Sequence, residues 1–141
     1  MKILVPVDGS TYTKRMLGYL AAHDEWLGPT QQYTVLHTVP AVPPRAAAAI
    51  DRETLKAYYD DEAEKVFKPI RAFFAKKPEL SVTFVSKAGA PAETIAALAE
   101  KQGFNLVVMG SHGHSTLANL VMGSVTTKVL AHCKTPVLLV R

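Results

Sequence analysis

Five short apolar runs, each closed by turn residues and separated by segments of helical period, constrain this chain more than any other feature. Residues 3–7 are almost continuously apolar, as expected of a parallel strand covered on both faces, and Pro6 removes a ladder donor where the strand should stop. Residues 33–39 form the second run, closed by Pro40, and residues 80–86 alternate well enough for a third. Residues 104–109 and 136–140 complete the set. Between them, Ser10 is a plausible N-cap for a helix carrying Met16, Leu17, Leu20 and Ala21, which Gly28-Pro29 stops. An amphipathic helix is predicted from about Asp51 to Lys77, with Leu55, Tyr58, Tyr59, Ala63, Val66, Phe67 and Ile70 as its buried side. Pro69 should bend that helix or split it in two. Pro91 suits the first position of a helix ending near Lys101, and residues 125–131 are helical. Residues 41–50, rich in Pro and Ala, read as a mobile connector. Strands alternating with helices predict an α/β domain over residues 1–141, with a parallel sheet, helices on both faces and right-handed crossovers.

Several function classes fall away on composition. The net charge of +4 is spread along the chain, and Lys76-Lys77 beside Phe73-Phe74 reads as a solvated helix end and not as a nucleic-acid surface. The single cysteine, Cys133, excludes an internal disulfide and a CxxC metal knuckle. The chain opens directly into a strand, with no secretory h-region, and no apolar run approaches the length of a membrane span. A cytoplasmic setting is expected.

The chemistry concentrates after the fourth strand. Gly110 and Gly113 follow the apolar run, and Gly123 precedes Ser124, Thr126 and Thr127 at the start of a helix. Glycines admit close approach of main-chain N–H groups to an anion, and a helix N-terminus adds unpaired donors, so the unit reads as a phosphate cradle. It is not a Walker A loop, because no Gly-Lys-Ser/Thr follows, and its spacing is not GxGxxG. Ligands of such folds bind beyond the carboxyl ends of the strands where the strand order reverses. If the first and fourth strands are neighbours there, Asp8 faces the glycine loop across one crevice. Asp8 then has two readings: it holds its own turn at Gly9 and Ser10, or it accepts from ribose hydroxyls and helps to hold Mg²⁺ against phosphates. His114 either donates to a phosphate when protonated or is merely solvated, and His37 reads as a strand-end cap. His112 and His114 lack a third metal ligand at suitable spacing, and no nucleophile–base pair can be assigned.

At these residues the chain resembles the ATP-binding branch of the universal stress protein family. The family's nucleotide signature is Gly, two residues, Gly, nine residues, Gly, then Ser or Thr. Here it reads Gly110-Ser111-His112-Gly113, nine residues, then Gly123-Ser124. The opening from Ile3 to Ser10 and the close from Lys134 to Val140 are similar too. The resemblance implies a Rossmann-like fold of the adenine nucleotide alpha hydrolase-like kind, an open five-stranded sheet in the order 3-2-1-4-5. It also implies a homodimer paired through the last strand, about Val137–Val140. It places Pro6, Val7 and Asp8 beside adenosine and Thr38 against adenine through its main chain. Gly110, Ser111, His112, Gly113, His114, Ser115 and Thr116 should wrap the ribose and phosphates, with Gly123, Ser124, Val125 and Thr126 at the phosphate tail. Many members carry Arg or Lys where this chain has His114, and a free imidazole is mostly neutral at pH 7.

The resulting expectation is an ATP-binding stress-response and signalling module, with AMP or ADP as further ligands, Mg²⁺ brought by ATP with Asp8 as its protein contact, and a protein partner downstream. Slow ATP hydrolysis or autophosphorylation is the alternative. No general base and no catalytic lysine can be assigned, which favours binding over turnover. No nucleic-acid or membrane partner is expected.

Overall fold

The structure, a computed structural model, describes residues 1–114 and 122–141. Its strands are β1 (Lys2–Pro6), β2 (Gln32–Val39), β3 (Ser81–Ala88), β4 (Leu106–Gly110) and β5 (Val137–Val140). They form one parallel sheet in the order β3-β2-β1-β4-β5. The helices are α1 (Thr11–Ala22), α2 (Asp24–Leu27), α3 (Pro44–Ala48), α4 (Arg52–Ala75), α5 (Pro91–Lys101) and α6 (Ser124–His132). Among the described residues, no helix is long and apolar enough to cross a membrane.

Strand side chains alternate between two cores, as the two-residue period of a strand requires. Ile3, Val5, Val35 and Val108 face one core with Met16 and Leu20 of α1 and Phe67, Ile70 and Phe74 of α4. Leu4, Leu36, Val107 and Met109 face the other with Ile95 and Leu98 of α5 and Val129 of α6. This two-sided burial explains why β1 and β4 read as continuous apolar runs: Ile3, Leu4, Val5, Val107 and Val108 are all fully buried.

The helical segments depart from expectation in three places. Residues 41–50, expected as a mobile connector, contain the short helix α3, and the main-chain N–H of Val42 donates to the Tyr59 hydroxyl at 2.8 Å. α3 buries none of its residues, so it leaves no hydrophobic period; Pro44 at its start and the alanines that follow supply local propensity instead. Pro69 does not split α4, which runs as one helix from Arg52 to Ala75. Proline forfeits the bond to the Lys65 carbonyl, but both residues lie on the exposed side, while the buried stripe of Ala63, Phe67, Ile70 and Phe74 spans the break. Tyr58, expected in the core, is exposed, and Leu55, Tyr59 and Val66 are only half-buried.

What positions a site is the register at the centre of the sheet. β1 pairs with β2 along its whole length, from Lys2↔Gln32 to Pro6↔Leu36. With β4 it pairs only at Ile3↔Leu106 and Leu4↔Val107. The chain steps from β1 outward to β2 and β3 on one side and then crosses to β4 and β5 on the other, so the strand order reverses between β1 and β4, and the two strands diverge toward their carboxyl ends. A crevice opens where folds of this kind bind ligands.

Candidate functional site

A cavity of about 240 Å³ fills that crevice, walled by the turn after β1, the end of β2, the start of α5, the loop after β4 and the start of α6. Each wall is held by identifiable contacts.

The β1 turn is fixed by Asp8 and Thr13. Asp8 Oδ1 accepts from the main-chain N–H of Ser10 at 2.9 Å and from the Thr13 hydroxyl at 3.0 Å, while Thr13 Oγ1 accepts from the Asp8 N–H at 3.2 Å. Gly9 takes φ +77°, a conformation that side chains other than glycine's rarely adopt. The turn reading of Asp8 therefore holds, yet it engages one carboxylate oxygen only. The other, Oδ2, lies against Gly113 across the crevice, where a Cβ on that glycine would stand 2.5 Å from it.

The glycine loop is closed on itself and on β1. The N–H of Ser111 donates to Val140 O, extending the β4–β5 ladder, and Ser111 O accepts from the N–H of Gly123 at 2.8 Å. His114 Nε2 donates to the main-chain oxygen of Asp8 at 2.7 Å; a carbonyl only accepts, so this nitrogen carries the hydrogen. His112 packs its ring on Tyr12 of α1, with ring centroids 4.8 Å apart. Ser111 does not line the cavity: it is fully buried, with its hydroxyl 2.9 Å from His112 Nδ1. Ser115 and Thr116 lie outside the described residues.

The three motif glycines turn out to be demanded by protein packing. A Cβ on Gly110 would stand 2.7 Å from Tyr12 Cβ, and one on Gly123 3.1 Å from His112 Cα. None of the three has a positive φ. Their small size lets the loop lie directly against Tyr12 of α1 and the Asp8 carboxylate, which brings the cavity walls into place.

At the start of α6, Gly123 is the N-cap and offers no side chain to bond the first turn. The earliest intrahelical bond runs from Thr127 N to Gly123 O, so the N–H groups of Ser124, Val125 and Thr126 have no partner within the helix. Ser124 is exposed at the cavity. Thr126 is buried, and its hydroxyl donates to Gly110 O at 3.2 Å, so only its N–H can serve an anion.

Thr38 lies on the wall formed by β2. Leu36 O accepts from Val7 N on the β1 side, and Val39 O accepts from Gly89 N on the β3 side. By that alternation the main-chain groups of Thr38 aim past the end of β1, toward the crevice. Pro6, Val7, Gly110, Gly113, His112, His114, Gly123 and Val125 line the cavity as well. Sequence reasoning missed Thr13, Leu36, Pro91, Ile95 and Met109, all five of which line it; His37, at the strand end expected to form the side wall, lines it too. The two-residue period that buries Leu4 also points Leu36 and Met109 to the α5 face, a signal that was present. Thr13 left a fainter one, three residues after the cap Ser10. His37 is a strand-end cap as expected, its Nδ1 donating to Val7 O at 2.8 Å.

Among the described residues, no group of three or more His, Cys, Asp or Glu side chains is placed to hold a metal ion unaided. A cation at this cavity would need a ligand's own oxygens beside Asp8.

Known proteins share both sequence and fold with this chain. A universal stress protein of Thermus aquaticus, from the region 3′ of its QAH/OAS sulfhydrylase, is 32% identical over 139 residues, covering 99% of this chain and 97% of that one. The structure of UspA from Lactobacillus plantarum superposes with a TM-score of 0.76 at 24% identity, covering 100% of this chain and 97% of the other. The same fold occurs in a universal stress protein from Archaeoglobus fulgidus in complex with dAMP, at TM-score 0.68 and 19% identity over 100% and 98% of the two chains. It occurs again in an Arabidopsis thaliana family member with AMP bound, at TM-score 0.67 and 16% identity over 99% and 90%. The profile described as the universal stress protein family matches residues 1–141. With the sheet order, the crevice and the loop all in place, the chain belongs to the universal stress protein family.

Proposed function

We propose that this family member is an adenine-nucleotide-binding module of stress response and signalling. ATP is the ligand that the glycine pattern implies, and ADP and AMP enter by the same adenosine end. One observation carries this reading: a free carboxylate oxygen, an open strand end and an uncapped helix N-terminus converge on a single cavity. Each suits a different part of a nucleotide. Asp8 Oδ2 accepts from ribose hydroxyls, the main chain of Thr38 meets the edge of adenine between Pro6, Val7 and the apolar wall, and α6 receives phosphate. The AMP and dAMP held by the Arabidopsis and Archaeoglobus proteins of the same fold are in keeping with this class of ligand.

Asp8 also suits Mg²⁺ bound through the phosphates, because Mg²⁺ is commonly held by one or two carboxylates together with phosphate oxygens and water. Such an ion would neutralise phosphate charge. No lysine is among the described residues that line the cavity, which favours holding a nucleotide over slow hydrolysis or autophosphorylation. β5 is an edge of the sheet, and we place the homodimer contact there, through Val137–Val140. The proposed setting is cytoplasmic, with the nucleotide-loaded dimer acting on a protein partner.

Titration calorimetry of nucleotide-stripped protein tests the central reading. Saturable binding of ATP, ADP or AMP is expected, and the absence of binding by all three overturns it.

A further inference from the structure

The cavity is poor in positive charge. Among its described lining residues the only side chain with a formal charge is an anion, Asp8. Residues 110–127, which carry the loop and the start of α6, contain no Lys, Arg, Asp or Glu at all. Arg15 lies nearby on α1, but its guanidinium is stacked over the Tyr12 ring at 5.1 Å and does not line the cavity.

The Thr126 hydroxyl is committed to Gly110 O and His114 Nε2 to Asp8 O. That leaves, on α6, the N–H groups of Ser124, Val125 and Thr126 and the exposed hydroxyl of Ser124, beside the uncharged main-chain N–H groups of the loop. A helix N-terminus presents roughly half a positive charge, suited to a single phosphate group. The further phosphates of a triphosphate bring several more negative charges into a space that already holds the Asp8 carboxylate.

Resting on the adenine-nucleotide reading above, we infer that this site selects a nucleoside monophosphate over a metal-free triphosphate. ATP matches AMP only when a divalent cation carried on its phosphates cancels the excess charge. Selectivity here is electrostatic, set by what the loop lacks and by the use of His114 as a tie to the β1 turn.

Calorimetry with AMP, with ATP in EDTA and with ATP in excess Mg²⁺ tests this on the nucleotide-stripped protein. AMP is expected to bind about tenfold more tightly than metal-free ATP, the effect of roughly one poorly screened unit charge near the surface. Mg²⁺ should narrow the gap to within about threefold. Metal-free ATP binding as tightly as AMP, or a gap that Mg²⁺ does not narrow, overturns the inference while leaving the nucleotide reading intact. Failure of every nucleotide to bind overturns both. Two variants separate charge from shape. His114→Arg adds a fixed cation and should raise metal-free ATP affinity relative to AMP by about fivefold. His114→Gln keeps a neutral donor for the Asp8 carbonyl and should leave the ratio within about twofold. No change from H114R, or an equal change from both, counts against the charge explanation.

Discussion

Two helices begin beside the same cavity, and they treat their free N–H groups in opposite ways. α1 is closed by its own sequence: Ser10 Oγ accepts from Thr13 N, and the Asp8 carboxylate takes the N–H of Ser10. α6 begins at Gly123, which has no side chain to do the same. The first helix satisfies the N–H of Thr13 with its own cap and uses the Asp8 turn to aim one carboxylate oxygen at the crevice. The second leaves its donors to whatever occupies the cavity. Glycine in place of a Ser or Asp cap costs a helix only about a few tenths of a kcal/mol, so α6 keeps its donors open for an anion at little loss of stability.

The contrast can be broken most severely at Gly113, whose missing Cβ lets the loop lie against Asp8. Gly113→Val should force the carboxylate or the loop aside, at about 1–3 kcal/mol of local strain, and lower nucleotide affinity by about 10–100-fold. Calorimetry beside a thermal melt checks this, and unchanged affinity would show that the Asp8–Gly113 contact has no part in binding. Ser124→Asp should act in two directions at once. A carboxylate at the first position of α6 stabilises the helix by about 0.3–1 kcal/mol, yet it repels phosphate and should weaken binding about tenfold. A rise in melting temperature together with a fall in affinity is the expected pair; a fall in both would mean that the start of α6 is not held as described.

Ser10→Ala touches the other helix. Loss of this cap should cost about 1 kcal/mol of stability while changing nucleotide affinity by less than about threefold, because Thr13 still orients Asp8. Least connected to the cavity is Tyr33, at the opposite end of β2. Its buried phenol donates to Leu27 O, and burial pushes its pKa up to about 12. The folded state therefore holds this proton more tightly than the unfolded chain, whose phenol ionises near 10. Its contribution to stability is complete below about pH 10 and is lost as the pH rises toward about 12. Denaturant melts across that range should show the loss, and Tyr33→Phe should remove the phenol's share of it.

The sheet was legible because both faces of β1 and β4 are covered, which turns a structural fact into unbroken apolar runs. The cavity's polar floor was legible for a related reason, since Asp8, Gly110 and Gly123 stand at strand and helix ends where turn chemistry shows in sequence. What stayed hidden depended on contacts far apart in the chain. The packing role of Gly113 arises from a residue more than a hundred positions away, and so does the tie from His114 to the Asp8 carbonyl. α3 was hidden because it buries nothing, and α2 because only the break at His23 separates its four residues from α1. Pro69 did not split α4 because local propensity weighs less than a buried stripe that continues on both sides of it.

The most direct test follows main-chain amide resonances during titration with AMP. The open start of α6 predicts the largest shifts at Ser124, Val125 and Thr126, smaller ones at Gly113 and His114, and little change at Thr11, Tyr12 and Thr13 of the capped helix. Shifts centred on α1, or saturable AMP binding that leaves the three α6 amides unmoved, would contradict the account.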